Sequence, residues 1–230
     1  MGRAFFVTGT GTDVGKTYFS SLFMAKYAQK YAFQYWKPIQ TGILESSDTQ
    51  FIQKITNLPI ENFRLPLYEL KAPASPHYAA KLENQEIDSK FVLSEITKIR
   101  KQNVLIEGAG GIFVPWTDQY LSLRGIQESN LDVVLVVSSE LGTINHSLMS
   151  LDILLNRFVP VAGFYMVGPN NSLVEDNIAT IQKFGGVSCL GCTFFPSQKL
   201  NPEEFRNFAN SEFDRDRSVI DSILPVDDED

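Results

Sequence analysis

A short apolar run near the amino terminus leads directly into a loop rich in glycine and threonine. Residues 4–8 read AFFVT, residues 9–17 read GTGTDVGKT, and apolar residues recur at helical spacing over residues 16–31. A loop between a strand and a helix presents backbone N–H groups and the positive end of the helix dipole to an anion. The order of these elements predicts a buried strand that ends at a phosphate-binding loop.

The spacing within the loop differs from the common phosphate-loop pattern G-x-x-x-x-G-K-[ST]. That pattern needs a glycine where Thr10 stands, and the preceding glycine is Gly9, so the loop is one residue longer. Lys16 is still placed to reach terminal phosphates, and the Thr17 hydroxyl is placed to bind Mg²⁺. The three glycines of the loop do not form G-x-G-x-x-G, which disfavours a dinucleotide-binding fold.

Apolar runs alternate with helical patterns along the rest of the chain. Strands are predicted at 35–38, 103–107, 131–139, 159–167 and 187–195, and helices at 88–101, 143–158 and 173–184. Alternation of this kind predicts an α/β fold with a doubly wound, mostly parallel sheet of the P-loop NTPase type. No composition break divides the chain, so we predict a single domain over residues 1–209 and an acidic, solvated tail over residues 210–230.

The charge balance limits the partners that this chain is expected to bind. It has 20 lysines and arginines against 27 aspartates and glutamates, a net charge of −7. Nucleic acid would demand a basic face, so none is expected as a partner. The first residues do not form a signal peptide, and no stretch of about eighteen apolar residues is present to cross a bilayer. We therefore expect a cytoplasmic protein without membrane contact.

The two cysteines, Cys189 and Cys192, form a C-x-x-C pattern. A redox pair of this spacing is typical of a helix start, whereas the surroundings here are apolar and β-like. No second pair is present to complete a zinc site. We predict two buried thiols on a strand.

Five segments, taken in order, resemble the dethiobiotin synthetases. They are GTGTDVGKT at 9–17, KPIQTG at 37–42, SSDTQF at 46–51, IEGAGG at 106–111 and LGTINHSL at 141–148. In that family the glycine loop also has five residues between its first glycine and the Gly-Lys-Thr, as between Gly9 and Gly15 here. The resemblance covers residues 4 to about 150 well and extends more loosely to about residue 200.

The resemblance implies a ligase of biotin biosynthesis that uses ATP and Mg²⁺. Enzymes of this family join 7,8-diaminopelargonic acid and CO₂ through a carbamate, transfer the γ-phosphoryl of ATP to it, and close the ureido ring with the second amine. The carbamate and the triphosphate are both anionic, so the protein has mainly to position them and neutralise their charge. The resemblance also implies a homodimer whose substrate site spans the two-fold interface.

Roles for individual residues follow from the same resemblance. Lys16 and Lys37 are the catalytic cations, Lys16 on the phosphates and Lys37 between the carbamate and the transferring phosphoryl group. The nucleotide-binding set is Thr12, Asp13, Val14, Gly15, Lys16, Thr17, Glu107 and Gly108. The substrate-binding set is Thr10, Thr41, Gly110, Leu141 and Asn145, and the metal ligands are Thr17, Asp48 and Glu107.

The residues themselves support part of this assignment. The segments that begin at Gly9, Lys37 and Glu107 follow predicted strands, and the carboxyl ends of parallel strands meet at one edge of a sheet. Glu107 ends an apolar strand, where a lone buried carboxylate would be costly without a cation. The alternative interpretation of Lys37 is that it is a surface lysine that follows a strand. Asp48 has two interpretations, because SSDTQF is also a good N-cap sequence.

Two histidines receive weaker assignments. His77, in the family-like segment SPH, is predicted to be structural. His146 follows Asn145 at the start of a predicted helix and is assigned to dimer or substrate contact.

The chain departs from the family after the strand at 159–167. Members of the family often place there an asparagine that reads the adenine ring. This chain continues Val167-Gly168-Pro169-Asn170-Asn171, without an asparagine at the expected position. Triphosphate binding is predicted, whereas specificity for the base is not.

Three other classes of protein are considered. P-loop switch ATPases of the partitioning or division type usually carry a second lysine early in the loop, where this chain has Lys16 alone, and they need a DNA- or membrane-binding surface. Amidoligase-type enzymes generally carry an additional glutaminase domain, for which 230 residues leave no room. A nucleotide-binding module without catalysis remains an alternative only if Lys37 is dispensable.

Overall fold

The centre of the molecule is a six-stranded parallel sheet with helices on both faces. The computed structural model describes residues 2–44 and 47–224. Its strands are β1 (Phe5–Gly9), β2 (Gln34–Trp36), β3 (Ile39–Thr41), β4 (Tyr68–Leu70), β5 (Val104–Gly111), β6 (Pro115–Thr117), β7 (Tyr120–Leu121), β8 (Asp132–Ser138), β9 (Val161–Gly168) and β10 (Cys189–Phe194). Its helices are α1 (Lys16–Tyr31), α2 (Asp48–Thr56), α3 (Pro76–Leu82), α4 (Ser89–Lys98), α5 (Ser122–Ser129), α6 (Thr143–Asn156), α7 (Val174–Gly185), α8 (Pro202–Glu212) and α9 (Ser218–Ile223), with a short 3₁₀ turn at Ile60–Asn62.

The order of strands in the central sheet is β10-β9-β8-β1-β5-β2, and every neighbouring pair is parallel. The predicted α/β fold with a doubly wound, mostly parallel sheet is confirmed. The chain builds β2 and β5 on one side of β1, then β8, β9 and β10 on the other. Such a reversal of direction opens a crevice at the carboxyl ends of the strands. The glycine loop follows β1 and therefore lies at that crevice.

Two apolar clusters cover the two faces of the sheet. Successive strand residues alternate between them because neighbouring side chains of a strand point to opposite faces. Phe6, Ile106 and Leu135 belong to one cluster, and Phe5, Leu105 and Val136 belong to the other. All of these side chains are buried. Helix α1 packs on the second face through Phe19, Leu22 and Phe23. The sheet is thus covered on both sides, as a parallel sheet requires.

Two small two-stranded sheets lie outside the central sheet. Strands β3 and β4 pair in parallel, and β6 and β7 pair in antiparallel fashion. None of these four strands was predicted, because each has only two or three residues. Strand β3 carries Gln40 and Thr41 to the carboxyl edge of the central sheet.

The carboxyl-terminal segment is part of the core, which corrects the expected solvated tail. The boundary predicted at residue 209 falls inside α8. Phe213, Val219, Ile220 and Ile223 are buried in the same cluster as Phe19. The expectation is therefore wrong for residues 210–224, whereas the acidic segment VDDED, at 226–230, lies outside the described residues.

Asp214 explains why an acidic segment can be buried here. Its carboxylate accepts hydrogen bonds from the Tyr27 hydroxyl at 2.7 Å and from the backbone N–H groups of Val219 at 2.8 Å and Ile220 at 3.0 Å. A buried carboxylate is tolerated when its oxygens are satisfied in this way. The count of charged residues did not indicate that this segment is buried, because four apolar side chains that point into the core are interspersed with the acidic ones.

Cys189 and Cys192 both lie on β10, an edge strand, as free thiols that are partly buried. Their position on a strand agrees with the prediction, although neither is fully buried. Among residues 2–44 and 47–224, no helix is long and apolar enough to span a bilayer.

Candidate functional site

A cavity of about 910 Å³ opens at the carboxyl edge of the sheet, next to the glycine loop. Its walls come from the end of the glycine loop and the start of α1, from the segment 37–42, from the start of α2, from the turn at 73–76, and from Ala109, Gly110 and Val114. The three segments expected to converge, which begin at Gly9, Lys37 and Glu107, therefore do meet in space.

The glycine loop is held against the sheet at both ends. The N–H of Thr10 donates to the carbonyl of Val136 at 3.2 Å. Gly15 is the residue before α1 and has a φ of 100°, a left-handed conformation that suits glycine. A Cβ atom at Gly15 would lie 2.7 Å from the Val167 side chain. Within the described residues no side chain caps α1, so its first N–H groups remain available to an anion.

Lys16 folds back over the loop. Its ammonium donates to the carbonyl of Gly11 at 2.7 Å, and the side chain is almost fully buried. Burial lowers the pKa of Lys16 to about 8, with the charge of Lys37 adding to this and the carboxylate of Glu107 opposing it. An anionic ligand in the cavity would supply the negative partner that this ammonium needs.

Thr17, Lys37, Asp48 and Glu107 form a single hydrogen-bonded cluster. The Thr17 hydroxyl lies 2.8 Å from Asp48 Oδ1 and 2.9 Å from Glu107 Oε1. The Lys37 ammonium lies 2.5 Å from Asp48 Oδ2 and 3.2 Å from Glu107 Oε1. The three oxygen-bearing side chains predicted to be metal ligands are therefore neighbours, and Lys37, the lysine predicted to be catalytic, lies among them.

The charges of this cluster depend on one another. Burial alone would lower the pKa of Lys37, but the carboxylates of Glu107 and Asp48 outweigh it and raise the pKa above its ordinary value. Burial alone would raise the pKa of Asp48, but the ammonium of Lys37 outweighs it and lowers the pKa. At neutral pH Lys37 is thus protonated and Asp48 is ionised, so the two form an ion pair.

Asp48 is not the N-cap of α2. The cap is Ser47, whose side chain accepts from the N–H of Gln50 while Gln50 accepts from the N–H of Ser47. The cap interpretation of Asp48 is therefore wrong. Because Ser47 satisfies the helix end, the carboxylate of Asp48 turns toward Thr17 and Lys37 instead.

The remaining predicted residues divide into three groups by position. Those that line the cavity, besides the lysines, Thr17 and Asp48, are Thr12, Asp13, Gly15, Thr41 and Gly110. Those that do not line it, although nearby residues of the same segments do, are Thr10, Val14, Glu107 and Gly108. Leu141 and Asn145 are exposed and do not line this cavity in a single chain.

Gly108 and the two histidines have distinct surroundings. A Cβ atom at Gly108 would lie 2.9 Å from the Phe6 ring, so this glycine is required by packing on the neighbouring strand. The Nδ1 atom of His77 lies 3.0 Å from the Ser75 hydroxyl at the start of α3. His146 is exposed on α6, close to Asn145.

Two residues of the site were missed by sequence reasoning. The Ser20 hydroxyl donates to Glu107 Oε2 at 2.7 Å, one helical turn beyond Lys16. Gln40 donates to Asp48 Oδ2 at 3.1 Å and lines the cavity. The helical spacing from Lys16 would have indicated Ser20. Gln40 lies inside the family-like segment KPIQTG, which was the available signal.

The side chain of Asn171 holds the segment after β9 in place. The amide nitrogen of Asn171 donates to the carbonyl of Ser139 at 3.1 Å, and its oxygen accepts from the N–H of Leu173 at 2.9 Å. Asn170 is exposed. Both ends of the Asn171 amide are therefore engaged in the turn after β9.

Comparison with known proteins gives a family match, a close relative and two structures with a similar fold. A family model described as an AAA domain matches residues 3–200. The chain is 38% identical to the ATP-dependent dethiobiotin synthetase of Leptospira interrogans over 222 residues, which cover 96% of this chain and 100% of the relative.

The solved structures share the fold at low sequence identity. A ParA family ATPase from Chlorobium tepidum superposes with a TM-score of 0.58 at 11% identity, covering 90% of this chain and 97% of that one. A cobyrinic acid a,c-diamide synthase from Mycobacterium smegmatis, with bound ADP and magnesium, gives a TM-score of 0.54 at 14% identity, covering 92% and 94%. At these identities the likeness is one of fold alone.

Proposed function

Since the chain belongs to the ATP-dependent dethiobiotin synthetases, the ligases of biotin biosynthesis, we propose that it closes the ureido ring of dethiobiotin from 7,8-diaminopelargonic acid and CO₂. The observation that carries the proposal is the placement of Lys16 and Lys37 on one cavity with Asp48, beside the open end of α1. The alternative of a partitioning-type switch ATPase has only a likeness of fold to support it.

The proposed reaction has three steps. One amine of the substrate adds to CO₂ and loses a proton, which gives a carbamate. A carbamate oxygen attacks the γ-phosphorus of ATP, ADP leaves, and a carbamic–phosphoric anhydride forms. The second amine attacks the carbonyl carbon, inorganic phosphate leaves, and the amine proton passes to solvent.

The two lysines are placed to neutralise the negative charge that is transferred in these steps. Lys16, at the start of α1, is placed to hold the terminal phosphates together with the N–H groups of the glycine loop. Lys37 is placed to neutralise the negative charge between the carbamate and the transferring phosphoryl group. Thr41 and Gly110, which line the cavity, would contact the substrate, and so would Thr10 of the glycine loop.

The residues of the site fit Mg²⁺. The donor set consists of the Thr17 hydroxyl and the carboxylates of Asp48 and Glu107, all hard oxygen ligands within one hydrogen-bonded cluster. Within the described part of the chain, no group of three or more His, Cys, Asp or Glu side chains could hold a metal ion by itself. This agrees with the usual coordination of Mg²⁺, which takes one or two carboxylate ligands from the protein and further oxygen ligands from substrate phosphates. When bound, the ion would neutralise phosphate charge.

We further propose a homodimer in which Leu141 and Asn145 serve the partner's cavity. Leu141, which precedes α6, is 93% exposed, and Met149, on α6, is 57% exposed. Large apolar side chains exposed beside polar ones are typical of an interface between subunits. Closed two-fold dimers are the commonest assemblies, and they would place the same surface of each chain against the other.

Three organisational expectations stay predictions. We propose one domain that includes α8 and α9, in place of the boundary at residue 209. We also propose a cytoplasmic location. We propose in addition that the protein does not bind nucleic acid, because its net charge is −7.

The function is tested by direct assay. The purified protein is supplied with diaminopelargonate, bicarbonate and MgATP, and dethiobiotin, ADP and phosphate are measured together. We expect the three products in equal amounts, with Lys16→Ala as the inactive control. Hydrolysis of ATP without dethiobiotin would overturn the proposal.

A further inference from the structure

Gln40 is a buried polar residue on the wall of the cavity to which the proposed reaction gives no role. It lies on β3, it is 2% exposed, and it is among the residues that line the cavity. Its Nε2 donates to Asp48 Oδ2 at 3.1 Å and to the carbonyl of Thr41 at 3.0 Å. Among residues 2–44 and 47–224, no hydrogen-bond donor contacts its Oε1, although this atom is buried.

The orientation of the Gln40 amide follows from its two partners. A carboxylate and a carbonyl only accept hydrogen bonds, so the NH₂ end must face them. The reversed amide would place Oε1 against two acceptors. Oε1 is therefore the end of the amide that has no partner among the described residues, on a side chain that lines the cavity.

The site's own ammonium groups are engaged elsewhere. Lys37 is bound to Asp48 and Glu107, and Lys16 is bound to the carbonyl of Gly11. A buried carbonyl oxygen without a donor is unfavourable, which favours a ligand that brings an N–H or O–H group to it. The substrate of the proposed reaction brings two amines.

We infer that Gln40 is a specificity-determining residue that accepts, through Oε1, a hydrogen bond from one amine of the diamine substrate. The inference rests on the proposed function and names the substrate group that the β3 side of the cavity recognises. Gln40 would bind this amine through Oε1 while its Nε2 remains bound to Asp48.

A neutral acceptor suits this task better than a carboxylate does. Both the addition to CO₂ and the ring closure need an amine with a free lone pair. A carboxylate beside the amine would stabilise its protonated form, which has no free lone pair. An amide oxygen accepts the N–H and adds no net charge. The site thus recognises an amine without holding it as an ammonium ion.

The test compares Gln40→Met with Gln34→Met. Methionine has nearly the length of glutamine and lacks the acceptor. Gln34, on β2, is the matched control because both ends of its amide are already bound, to Glu61 and Arg64. For Gln40→Met we expect a KM for diaminopelargonate about tenfold higher, the loss typical of one hydrogen bond, with a KM for ATP within about twofold. Gln34→Met should change neither.

Two monoamine analogues separate an amine from a water molecule as the partner of Oε1. Calorimetry measures the binding of 7-aminopelargonate and 8-aminopelargonate to the wild type and to Gln40→Met. We expect the substitution to weaken one analogue about tenfold and to leave the other unchanged, because only one retains the contacted amine. Equal loss for both analogues, or loss for neither, would overturn the inference.

Further outcomes are also decisive. Gln40→Asn, which withdraws the acceptor by one methylene, should reproduce the loss and serves if Gln40→Met does not fold. If the Gln40 variants lost affinity for ATP and for the diamine by the same factor, the role of Gln40 would be to position Asp48 alone, and the inference would be overturned. Absence of dethiobiotin with the wild type would instead overturn the proposed function, and the inference with it.

Discussion

The ammonium of Lys37 lies 2.5 Å from Asp48 Oδ2 and also contacts Glu107, so one lysine bridges two carboxylates from different parts of the chain. Both carboxylates are proposed ligands of Mg²⁺, and Lys37 is proposed to act on the substrate. The lysine and the metal ion are thus alternative partners of the same oxygens. A cation bound at Asp48 and Glu107 would leave the Lys37 ammonium available to the anionic carbamate and phosphoryl groups.

The first prediction concerns Lys37→Ala and Lys16→Ala. Both should lower turnover by about 10²–10³-fold, since each removes a group that stabilises charge during transfer. Lys37→Ala should keep ATP binding, because the loop N–H groups and Lys16 still hold the phosphates, whereas Lys16→Ala should lose it. Dethiobiotin formation and ATP calorimetry measure the two effects. Near-normal turnover of Lys37→Ala would refute its catalytic role.

Lys37→Ala should also lower the free energy of unfolding, and the size of this loss should depend on Mg²⁺. Removing one partner of a buried ion pair costs about 3–5 kcal/mol, and partial exposure of Asp48 places this variant at the lower end. We expect a lowered Tm that Mg²⁺ restores, with a larger Mg²⁺ effect than in the wild type. Lys98→Ala is the control, because Lys98 pairs with Glu95 at an exposed site where an ion pair contributes little.

The second prediction separates the metal and cap roles at the start of α2. Asp48→Asn should raise the Mg²⁺ concentration needed for half-maximal turnover at least tenfold, because a charged oxygen ligand is lost. Ser47→Ala should lower stability by about 1 kcal/mol, the usual cost of a lost N-cap, and leave the Mg²⁺ requirement unchanged. Titration of activity with Mg²⁺ and denaturant unfolding test the pair. An unchanged Mg²⁺ requirement in Asp48→Asn would remove Asp48 from the metal ligands.

Much of the site could be predicted because its residues follow strands of a parallel sheet. The glycine loop after β1 and Glu107 in β5 are examples, since an apolar run followed by a polar residue is visible in the sequence. Gln40 was missed because β3 has three residues, too few to show a periodic pattern. Its role depends on contact with Asp48, eight residues further along the chain, which the sequence does not show.

The carboxyl-terminal segment illustrates a second limit. Charge counts describe residues one by one, whereas burial depends on how a segment packs. The carboxylate of Asp214 accepts three hydrogen bonds, so it can enter the core together with Phe213. Leu141 shows the opposite case. It is predicted to bind substrate, yet it does not line the cavity described above, and we propose that it serves the cavity of a second subunit instead.

The third prediction tests that subunit contact. Leu141→Glu should shift the protein from dimer to monomer at micromolar concentration, because a charge would be buried at the interface. Phe158→Glu is the matched control, since Phe158 is 91% exposed and Leu141 is 93% exposed. Sedimentation and turnover are measured together, and turnover should fall with dissociation. A fully active monomeric wild type would contradict the shared site.

The fourth prediction concerns the two thiols. Burial raises the pKa of Cys189 to about 11 and also raises that of Cys192, so both are protonated at neutral pH. The thiolate is the reactive form, so a disulfide reagent at pH 7.5 should react much more slowly with the native protein than with the protein unfolded in guanidinium. Reaction as fast as that of free cysteine would indicate a redox-active pair.

The last prediction concerns the nucleobase. A site discriminates between bases when the wrong base leaves buried polar groups unpaired. No asparagine stands at the position expected after β9, and the Asn171 amide is already bound to Ser139 and Leu173. Affinity should then come from the loop N–H groups and Lys16, which contact only phosphates. We expect kcat/KM for ATP to exceed that for GTP or CTP by less than about tenfold, or ~1.4 kcal/mol.

The measurement is turnover with each nucleotide at subsaturating concentration, in the wild type and in Asn170→Ala. Asn170 is exposed, so its loss should leave the ratio between nucleotides unchanged. A preference for ATP above about a thousandfold, or ~4 kcal/mol, would require a polar group that pairs with adenine. If Asn170→Ala then abolished that preference, Asn170 would be the residue that reads the base. Retention of the preference in Asn170→Ala would assign the reading to a backbone group, which no side-chain substitution removes.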